Sequence, residues 1–184
     1  MNAPIPAWVE GALAPVPELD VHRRGLRHQA VSVFLMREAR TLIRRRSLAT
    51  YLAPGLWSAA CHAHPAWGEG ARACALRQLD TELGAGRRAW DAALHHRGQA
   101  EYRADLGGGL SEHERVDIFR AEAPAGLGSI ASAGPAPRHG GPIPAAEALW
   151  IDLDDLLAEA LRRAERFTPW LRVALAEHLP LILG

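Results

Sequence analysis

One stretch of the sequence, residues 54–84, constrains the fold of this chain more than any other. It begins with a Pro-Gly pair, which is typical of turns, and residues 57–62 then favour a β-strand. Residues 69–83 favour a helix, because leucines recur at spacings of three and four residues and Gly84 follows as a typical helix terminator. A strand that leads within a few residues into a helix predicts a layered fold containing both elements.

The rest of the chain adds strands before this stretch and both strands and helices after it. Residues 29–35 (QAVSVFL) have the β-branched and aromatic residues of a buried strand, and residues 40–45 predict its antiparallel partner. Further strands are predicted at residues 116–120 and 149–153, helices at residues 154–166 and 169–177, and loops at residues 107–109 and 123–144.

We therefore predict an α/β (α+β) fold in which helices sandwich a mixed sheet. The 184 residues suffice for one sizeable core. Residues 1–20 are rich in Pro and Ala and are predicted to form a loosely attached N-terminal arm. Residues 21–180 are predicted to form a single domain.

Composition excludes several classes of function. The formal net charge is zero, so we expect neither a general nucleic-acid-binding protein nor one that binds anionic membranes. All 21 basic residues are arginine, which excludes Schiff-base catalysis by lysine and a P-loop lysine. No apolar run reaches the roughly 18–20 residues of a membrane span. Two cysteines do not make a disulfide scaffold, so we expect a cytoplasmic protein. We also expect it to be a monomer or weak homodimer.

The helix pattern in residues 69–83 also resembles the signature of Nudix proteins, which places carboxylates on one helix face to hold Mg²⁺ against a diphosphate. That signature has a Gly, a Glu six residues later, and then Arg-Glu-apolar-x-Glu-Glu-x-Gly. The chain matches it at Glu69, Arg77, Leu79, Glu82 and Gly84, and departs from it at Ala63, Gln78 and Thr81. The missing helix carboxylates argue against an ordinary Nudix hydrolase.

An ordered set of short motifs narrows the resemblance. The set consists of His22-x5-His28, SVFL (32–35), RRRS (44–47), PGLW (54–57), HP (64–65), GE (68–69), EHE (112–114) and ERFTPW (165–170). In this order and spacing the motifs resemble those of the type 1 isopentenyl-diphosphate isomerases, over roughly residues 18–175. The resemblance implies a Nudix-like fold and an enzyme that interconverts isopentenyl and dimethylallyl diphosphate in isoprenoid biosynthesis.

The resemblance also implies a site for one divalent metal ion, Mn²⁺, Zn²⁺ or Mg²⁺. Its ligands would be His22, His28, His64, Glu112 and Glu114, all of which are present. Glu112 and Glu114 are two residues apart, so on an extended segment both side chains would point to the same face. The alternative for each residue alone is a surface histidine or a solvated carboxylate, but five matches in register favour the metal site.

Four residues match catalytic or substrate-binding positions of the family, and one of them is the proposed metal ligand Glu114. Glu114, assisted by Tyr102, would deliver a proton to the double bond of the substrate. The π face of Trp170 would stabilise the tertiary carbocation. Glu82 would help to hold a second Mg²⁺ bound to the substrate diphosphate. The alternatives are a loop aromatic for Tyr102, a packed core residue for Trp170 and a solvated helix carboxylate for Glu82.

The main departure from the family concerns the second proton-transfer group, which is a cysteine two residues before the HP histidine. This chain has His62 there, and Cys61 lies one position away, where a strand would direct it to the opposite face. We therefore assign Cys61 to packing. A neutral imidazole can accept a proton, so His62 could retain the chemistry, or it could become an additional metal ligand.

Fewer basic residues are predicted to bind the diphosphate in this chain than in the family. Arg46, which follows Arg45, retains one basic match, and both are assigned to substrate binding. Basic family positions are occupied here by Glu18, Thr50 and Gln78, and an asparagine position by Ala59. Arg24, Arg44 or Arg77 could compensate. Alternatives to the isomerase are a diverged metal-dependent enzyme acting on a different or less phosphorylated isoprenoid-like substrate, and an inactive relative.

Overall fold

The computed structural model describes residues 4–124, 127 and 147–183. Within these residues the strands are β1 (Pro4–Val9), β2 (Ala12–Pro17), β3 (His28–Arg37), β4 (Arg40–Arg45), β5 (Trp57–Ala59), β6 (Cys61–Ala63), β7 (Leu94–Gly107), β8 (Leu110–Glu122) and β9 (Glu147–Asp152). The helices are α1 (Glu18–Arg24), α2 (Ala71–Leu83), α3 (Arg87–Ala93), α4 (Leu153–Arg162), α5 (Pro169–Glu177) and α6 (Leu179–Leu183), with a 3₁₀ turn at Ala164–Arg166.

Strand β3 is the centre of a mixed sheet and sets the register of its neighbours. It pairs in parallel with β8 and antiparallel with β1, β4 and β6. The register places His28 opposite Glu114 and Ser32 opposite His62. Strand β7 pairs antiparallel with β8 and brings Tyr102 opposite Glu114. Residues far apart in sequence are thus aligned across four adjacent strands, β6, β3, β8 and β7.

Side-chain alternation along β3 divides the core between the two faces of the sheet. Val33 and Leu35 pack in one cluster with residues of α2 and α3, including Leu79 and Trp90. Phe34 packs in the other cluster with residues of α4, α5 and α6. Helices therefore cover both faces of the mixed sheet, which confirms the predicted α/β (α+β) sandwich.

The prediction of a loosely attached arm at residues 1–20 is wrong for residues 4–17. These residues form the β1–β2 hairpin, in which Ile5, Ala7 and Val16 are buried, and Ala7 of β1 pairs with His28 of β3. The prolines of β2 are compatible with this structure because β2 is the edge strand of the sheet. The division of the chain at residue 20 stays a prediction.

Several predicted elements match the structure and others differ. The strands at 29–35 and 40–45 and the helix at 169–177 are confirmed. The predicted strand 57–62 is two short strands, because β5 pairs with β4 and β6 pairs with β3. The predicted helix 154–166 ends at Arg162 and continues as the 3₁₀ turn. Most of residues 123–144, predicted as a loop, lies outside the described residues. In the described part of the chain, no helix is long and apolar enough to cross a membrane.

Candidate metal centre and catalytic pocket

The fold brings the five predicted metal ligands to one place. His22 lies on α1, His28 begins β3, His64 follows β6, and Glu112 and Glu114 lie on β8. One ligand atom each from His22, His28, His64 and Glu112 lies within 4.8 Å of all the others. The Nε2 atoms of His22 and His28 are 3.4 and 3.3 Å from Glu112 Oε2.

Glu114 joins this group from the same face of β8 as Glu112. Its Oε1 atom is 3.2 Å from His64 Nε2 and 3.8 Å from His28 Nε2. Both carboxylates are buried, with exposures of 2% for Glu112 and 0% for Glu114. The spacing of two residues on a strand therefore directs both side chains inward, as the sequence pattern predicts.

In each of the three ligand histidines, the Nδ1 atom has a hydrogen-bond partner on the side of the ring away from Glu112 and Glu114. His22 Nδ1 donates to the Glu18 carbonyl (2.7 Å), and His28 Nδ1 donates to the Leu26 carbonyl (2.8 Å). His64 Nδ1 donates to the Glu18 carboxylate (3.1 Å). Such bonds fix the tautomer and ring orientation of metal-binding histidines, because they leave Nε2 with its lone pair available.

Three buried polar atoms of this group fit a cation. His22 Nε2, His28 Nε2 and Glu112 Oε2 make no hydrogen bond to any residue that the structure describes. Buried polar atoms are rarely left without a partner, so unpaired acceptor atoms that converge on one point favour a bound ion. Nitrogen and carboxylate oxygen donors suit divalent ions such as Zn²⁺ and Mn²⁺.

Burial and charge have opposing effects on the ionisable groups of this cluster. Burial and the neighbouring carboxylate would raise the pKa of Glu112, but the His22 and His28 imidazoles hold it below its usual value. Glu114 is also buried, yet the surrounding histidines hold its pKa well below the usual range. Burial lowers the pKa of His64, but its bonds to Glu114 and Glu18 outweigh that effect and raise the pKa to about 10. The ionised carboxylates and the protonated His64 imidazole therefore stabilise one another.

Tyr102 contacts Glu114 on the side away from the histidines. Its hydroxyl donates to Glu114 Oε2 at 2.9 Å, and both side chains are buried. Burial and the adjacent Glu114 charge raise the pKa of Tyr102 well above its ordinary value, so the phenol stays protonated. The two oxygens of Glu114 thus face different partners, the phenol at Oε2 and imidazoles at Oε1.

His62 forms a bridge between Glu114 and Trp170. Its Nε2 atom is 3.0 Å from Glu114 Oε1, and its Nδ1 atom is 2.7 Å from Ser32 Oγ. When Nε2–H donates to Glu114, the Ser32 hydroxyl donates to Nδ1. The imidazole also stacks on the Trp170 ring, with centroids 4.5 Å apart and an interplanar angle of 12°. Trp170 in turn donates from Nε1 to Ser58 Oγ at 2.8 Å.

Cys61 faces the core rather than this pocket. It is 1% exposed and packs in the cluster beneath α2, and burial raises the pKa of its thiol to about 12. Its position opposite Val33, one residue from the His62–Ser32 pair, explains why the two side chains point to opposite faces of β6. A thiol held neutral in the core supports the packing role predicted from the sequence.

A cavity of about 330 Å³ opens beside the site. Its lining residues are Ile5, Glu18, Arg46, Leu52, His62, Ala63, His64, Ala66, Arg77, Gln78, Glu82, Glu112 and Trp170. Arg46 is held in this wall by bonds to the Leu52 carbonyl (3.0 Å) and Thr50 Oγ1 (3.2 Å). Its guanidinium carbon lies 5.1 Å from the centroid of the Trp170 ring.

Three other arginines that the sequence offers for diphosphate binding have protein partners of their own, although Arg77 also lines the cavity. Arg77 makes two bonds of 2.7 Å to Glu69, and Arg44 forms an ion pair with Glu82. Arg45 is exposed and donates to the Gly55 carbonyl, outside the cavity wall. Glu82 does line the cavity, but its pairing with Arg44 offsets the charge that a second Mg²⁺ would require.

Sequence reasoning missed the residues that hold the site in position. Ser32, Ser58 and Tyr51 were given no role, although Ser32 bonds to His62, Ser58 to Trp170, and Tyr51 lies 6.1 Å from His22 by ring centroids. Glu18 was interpreted only as a lost basic contact, although it bonds to His64. Of these, only Ser32 carried a usable signal, because strand pairing can align SVFL with the segment before the HP pair.

Comparisons with known proteins identify the family of this chain. Residues 26–171 match the NUDIX domain family. An isopentenyl-diphosphate Delta-isomerase of Dinoroseobacter shibae is 50% identical over 182 residues, covering 98% of this chain and 95% of that protein. An isopentenyl-diphosphate Delta-isomerase of Cereibacter sphaeroides is 48% identical over 184 residues, covering 100% of this chain and 97% of that protein.

Solved structures with low sequence identity share the fold. A Deinococcus radiodurans protein superposes with a TM-score of 0.63 at 16% identity, covering 95% of this chain and 97% of that one. A MutT protein of Methanosarcina mazei gives a TM-score of 0.54 at 15% identity, covering 81% of this chain and 90% of that one. These matches show that the fold is shared, and they bear on the fold alone.

Proposed function

This chain belongs to the isopentenyl-diphosphate Delta-isomerase family of Nudix-fold proteins, and we propose that it interconverts isopentenyl and dimethylallyl diphosphate in isoprenoid biosynthesis. The observation that carries the proposal is the position of Glu114. This carboxylate is bonded to the buried Tyr102 phenol on one side and to His62 on the other, beside a cavity. Glu114 does not itself line the cavity, but its partners His62 and His64 do, and we propose that it reaches a ligand there when His62 moves aside.

The proposed reaction moves one proton on to the C5 unit and another off it. Protonation of the terminal methylene forms a C–H bond and leaves a tertiary cation, and loss of a proton from C2 then forms the new double bond. Glu114, which is ionised at rest, takes up a proton before it acts as the acid, and the Tyr102 hydroxyl supplies a second proton donor in contact with it. His62 accepts the proton from C2 through its imidazole.

The His62–Trp170 stack affects how the carbocation is stabilised. A cation over the indole gains roughly 0.5–2 kcal/mol when the ring face is open to it. Here the imidazole of His62 already lies on that ring. The C5 chain must therefore displace His62 from the stack before Trp170 faces the cation, and this movement also separates His62 from Glu114.

His22, His28, His64, Glu112 and Glu114 would hold one divalent cation, for which Mn²⁺, Zn²⁺ and Mg²⁺ are the candidates. When bound, the cation would supply positive charge that holds the ligand side chains in place. A second Mg²⁺ would accompany the diphosphate, with Glu82 and Arg46 as the cavity groups that contact the metal diphosphate. Arg45 is the neighbouring basic residue assigned to the same end of the ligand. We further propose a cytoplasmic monomer or weak homodimer that binds no nucleic acid.

The test is conversion of isopentenyl diphosphate to dimethylallyl diphosphate by the metal-loaded protein. The control is Glu114→Gln, which keeps the size of the side chain but removes its acid–base function. We expect turnover by the wild type and a loss of about 10²–10⁴-fold in the variant. Equal rates for the two proteins, or no conversion by either, would refute the proposed reaction.

The charges around the cavity favour a second candidate, an enzyme of the same kind that acts on a less phosphorylated substrate. Glu18 and Glu82 contribute carboxylates to the cavity wall, whereas Arg77 is paired with Glu69. The corresponding measurement compares kcat/KM for isopentenyl monophosphate and diphosphate. A higher value for the monophosphate supports this second candidate, and a higher value for the diphosphate excludes it.

A further inference from the structure

Glu18, the first residue of α1, contacts two of the proposed metal ligands through different atoms. Its backbone carbonyl accepts the hydrogen bond from His22 Nδ1, and its side-chain Oε1 accepts from His64 Nδ1. His22 lies one helical turn further along α1, whereas His64 follows β6, 46 residues away. One residue therefore fixes the relative position of two ligands from distant segments.

The contact with His64 differs in kind from those of the other two histidines. His22 and His28 donate to neutral carbonyls, but His64 donates to a carboxylate. A charge-assisted hydrogen bond is roughly twice as strong as a neutral one. A carboxylate at Nδ1 also makes the opposite nitrogen a more basic ligand, because it stabilises positive charge on the ring.

The Glu18 carboxylate is itself held in place. Its side chain is 28% exposed, and its carboxylate interacts with the Tyr51 hydroxyl as well as with His64. The group is thus an acceptor at the rim of the cavity, with its orientation set from two sides.

We propose that Glu18 is a positioning residue that orients His64 toward the divalent cation and increases the affinity of the site for metal. The inference rests on the proposed metal centre, and it goes beyond it by assigning an outer partner to one particular ligand. It accounts for a carboxylate in a cavity wall where a diphosphate-binding site would favour a cation. Glu18 contributes to catalysis only through His64.

The experiment measures the dissociation constant for Mn²⁺ and Co²⁺ by competition with a chelating dye. Glu18→Ala removes the acceptor, and Glu18→Gln retains an acceptor without charge. Asp20→Asn is the matched control, because Asp20 lies on the same helix, is half exposed and pairs only weakly with Arg23 at 3.9 Å. We expect about 10–100-fold weaker binding for Glu18→Ala, a smaller loss for Glu18→Gln and no change for Asp20→Asn.

Two further readouts separate orientation of His64 from damage to the fold. The visible spectrum of bound Co²⁺ should shift in Glu18→Ala in the same direction as in His64→Ala, while the metal-free variants should melt close to the wild type. Wild-type affinity and spectrum in Glu18→Ala, or equal losses in Glu18→Ala and Asp20→Asn, would overturn the proposal. Since metal binding is measured without substrate, a wild type that binds metal but does not isomerise refutes only the proposed function.

Discussion

His62 makes three contacts that a smaller side chain at its position could not make together. It bonds to Ser32 through Nδ1 and to Glu114 through Nε2, and it stacks on Trp170. These contacts hold the imidazole in van der Waals contact with an aromatic ring and within hydrogen-bond distance of the proposed acid. The proton acceptor of the reaction is therefore held in a resting conformation before substrate binds.

His62→Ala should lower kcat by about 10²–10⁴-fold, because it removes a positioned proton acceptor. The metal content should stay at the wild-type value, since the five proposed ligands are unchanged. Steady-state kinetics together with elemental analysis of the purified variant measure both quantities. A kcat close to that of the wild type would show that His62 takes no part in proton transfer.

Ser32→Ala provides a graded comparison at the same site. It removes the partner of Nδ1 but leaves the bond between His62 and Glu114. Loss of one hydrogen bond should raise the activation free energy by about 1 kcal/mol, so we expect kcat to fall by about fivefold. A loss as large as that of His62→Ala would mean that Ser32 itself exchanges protons with the substrate.

The histidine–carboxylate pairs also predict how the stability of the metal-free protein depends on pH. The pKa of His64 is about 10 in the folded protein against an ordinary value of 6.5, so protonated His64 stabilises the folded state fully below pH 6.5. That contribution is lost as the pH rises toward 10. Melting temperatures of the chelator-treated protein should therefore decline over this range, and less so in His64→Gln. Identical declines in the two proteins would contradict this assignment.

At the scale of the elements, α5 connects the core to the pocket. Thr168 caps this helix, since its side chain accepts from the Leu171 amide, and Pro169 occupies the first turn. Trp170 follows directly, so the cap fixes the start of the helix on which this ring lies. The stability of α5 and the position of Trp170 are therefore coupled.

Thr168→Ala should destabilise the protein by about 1 kcal/mol and also lower isomerase activity. Asp152→Ala is the matched control, because Asp152 caps α4 through the Asp154 amide at 3.2 Å and lies outside the cavity wall. It should cost a similar free energy of unfolding with unchanged activity. Chemical denaturation and kinetics check both expectations. An equal effect of the two substitutions on activity would rule out the coupling between the cap and Trp170.

The strength of the local pattern determined which elements could be predicted from the sequence. The apolar run of β3 and the helical residue pattern of α5 can each be recognised from the local sequence alone, and both elements are confirmed. Strand β7 was missed because residues 94–107 are mostly polar or small, and its existence depends on pairing with β8. The β1–β2 hairpin was missed because its prolines mark a loop unless the strand is known to lie at a sheet edge.

At the scale of the whole molecule, the proposed metal centre connects helix α1 to strands β3, β6 and β8, which are already joined to one another through the sheet. Its ligands come from α1, β3, β8 and the segment after β6. The ordered motifs predicted these five residues, because the chemistry of the ligands is fixed by residue type. The outer contacts of Glu18, Ser32 and Ser58 could not be predicted, because they depend on strand register and side-chain orientation.

Removal of metal should lower the stability of the entire fold. A ligand at 100 times its dissociation constant stabilises the folded state by about 2.7 kcal/mol, which corresponds to about 5–10 °C in Tm for a chain of this size. Thermal melts before and after treatment with a chelator measure the difference, and added Mn²⁺ should restore it. A Tm that does not respond to either treatment would mean that no ion binds to the folded protein.

The central claim, that the Glu114 pocket exchanges protons with a C5 diphosphate, is tested most directly by NMR of isopentenyl diphosphate incubated in D₂O with metal-loaded protein. The account predicts dimethylallyl diphosphate with deuterium in the methyl group that was the terminal methylene. It also predicts that Glu114→Gln produces neither this product nor deuterium exchange on the same timescale. Absence of deuterium and of product with the wild type, or the same labelling in Glu114→Gln, would contradict the account.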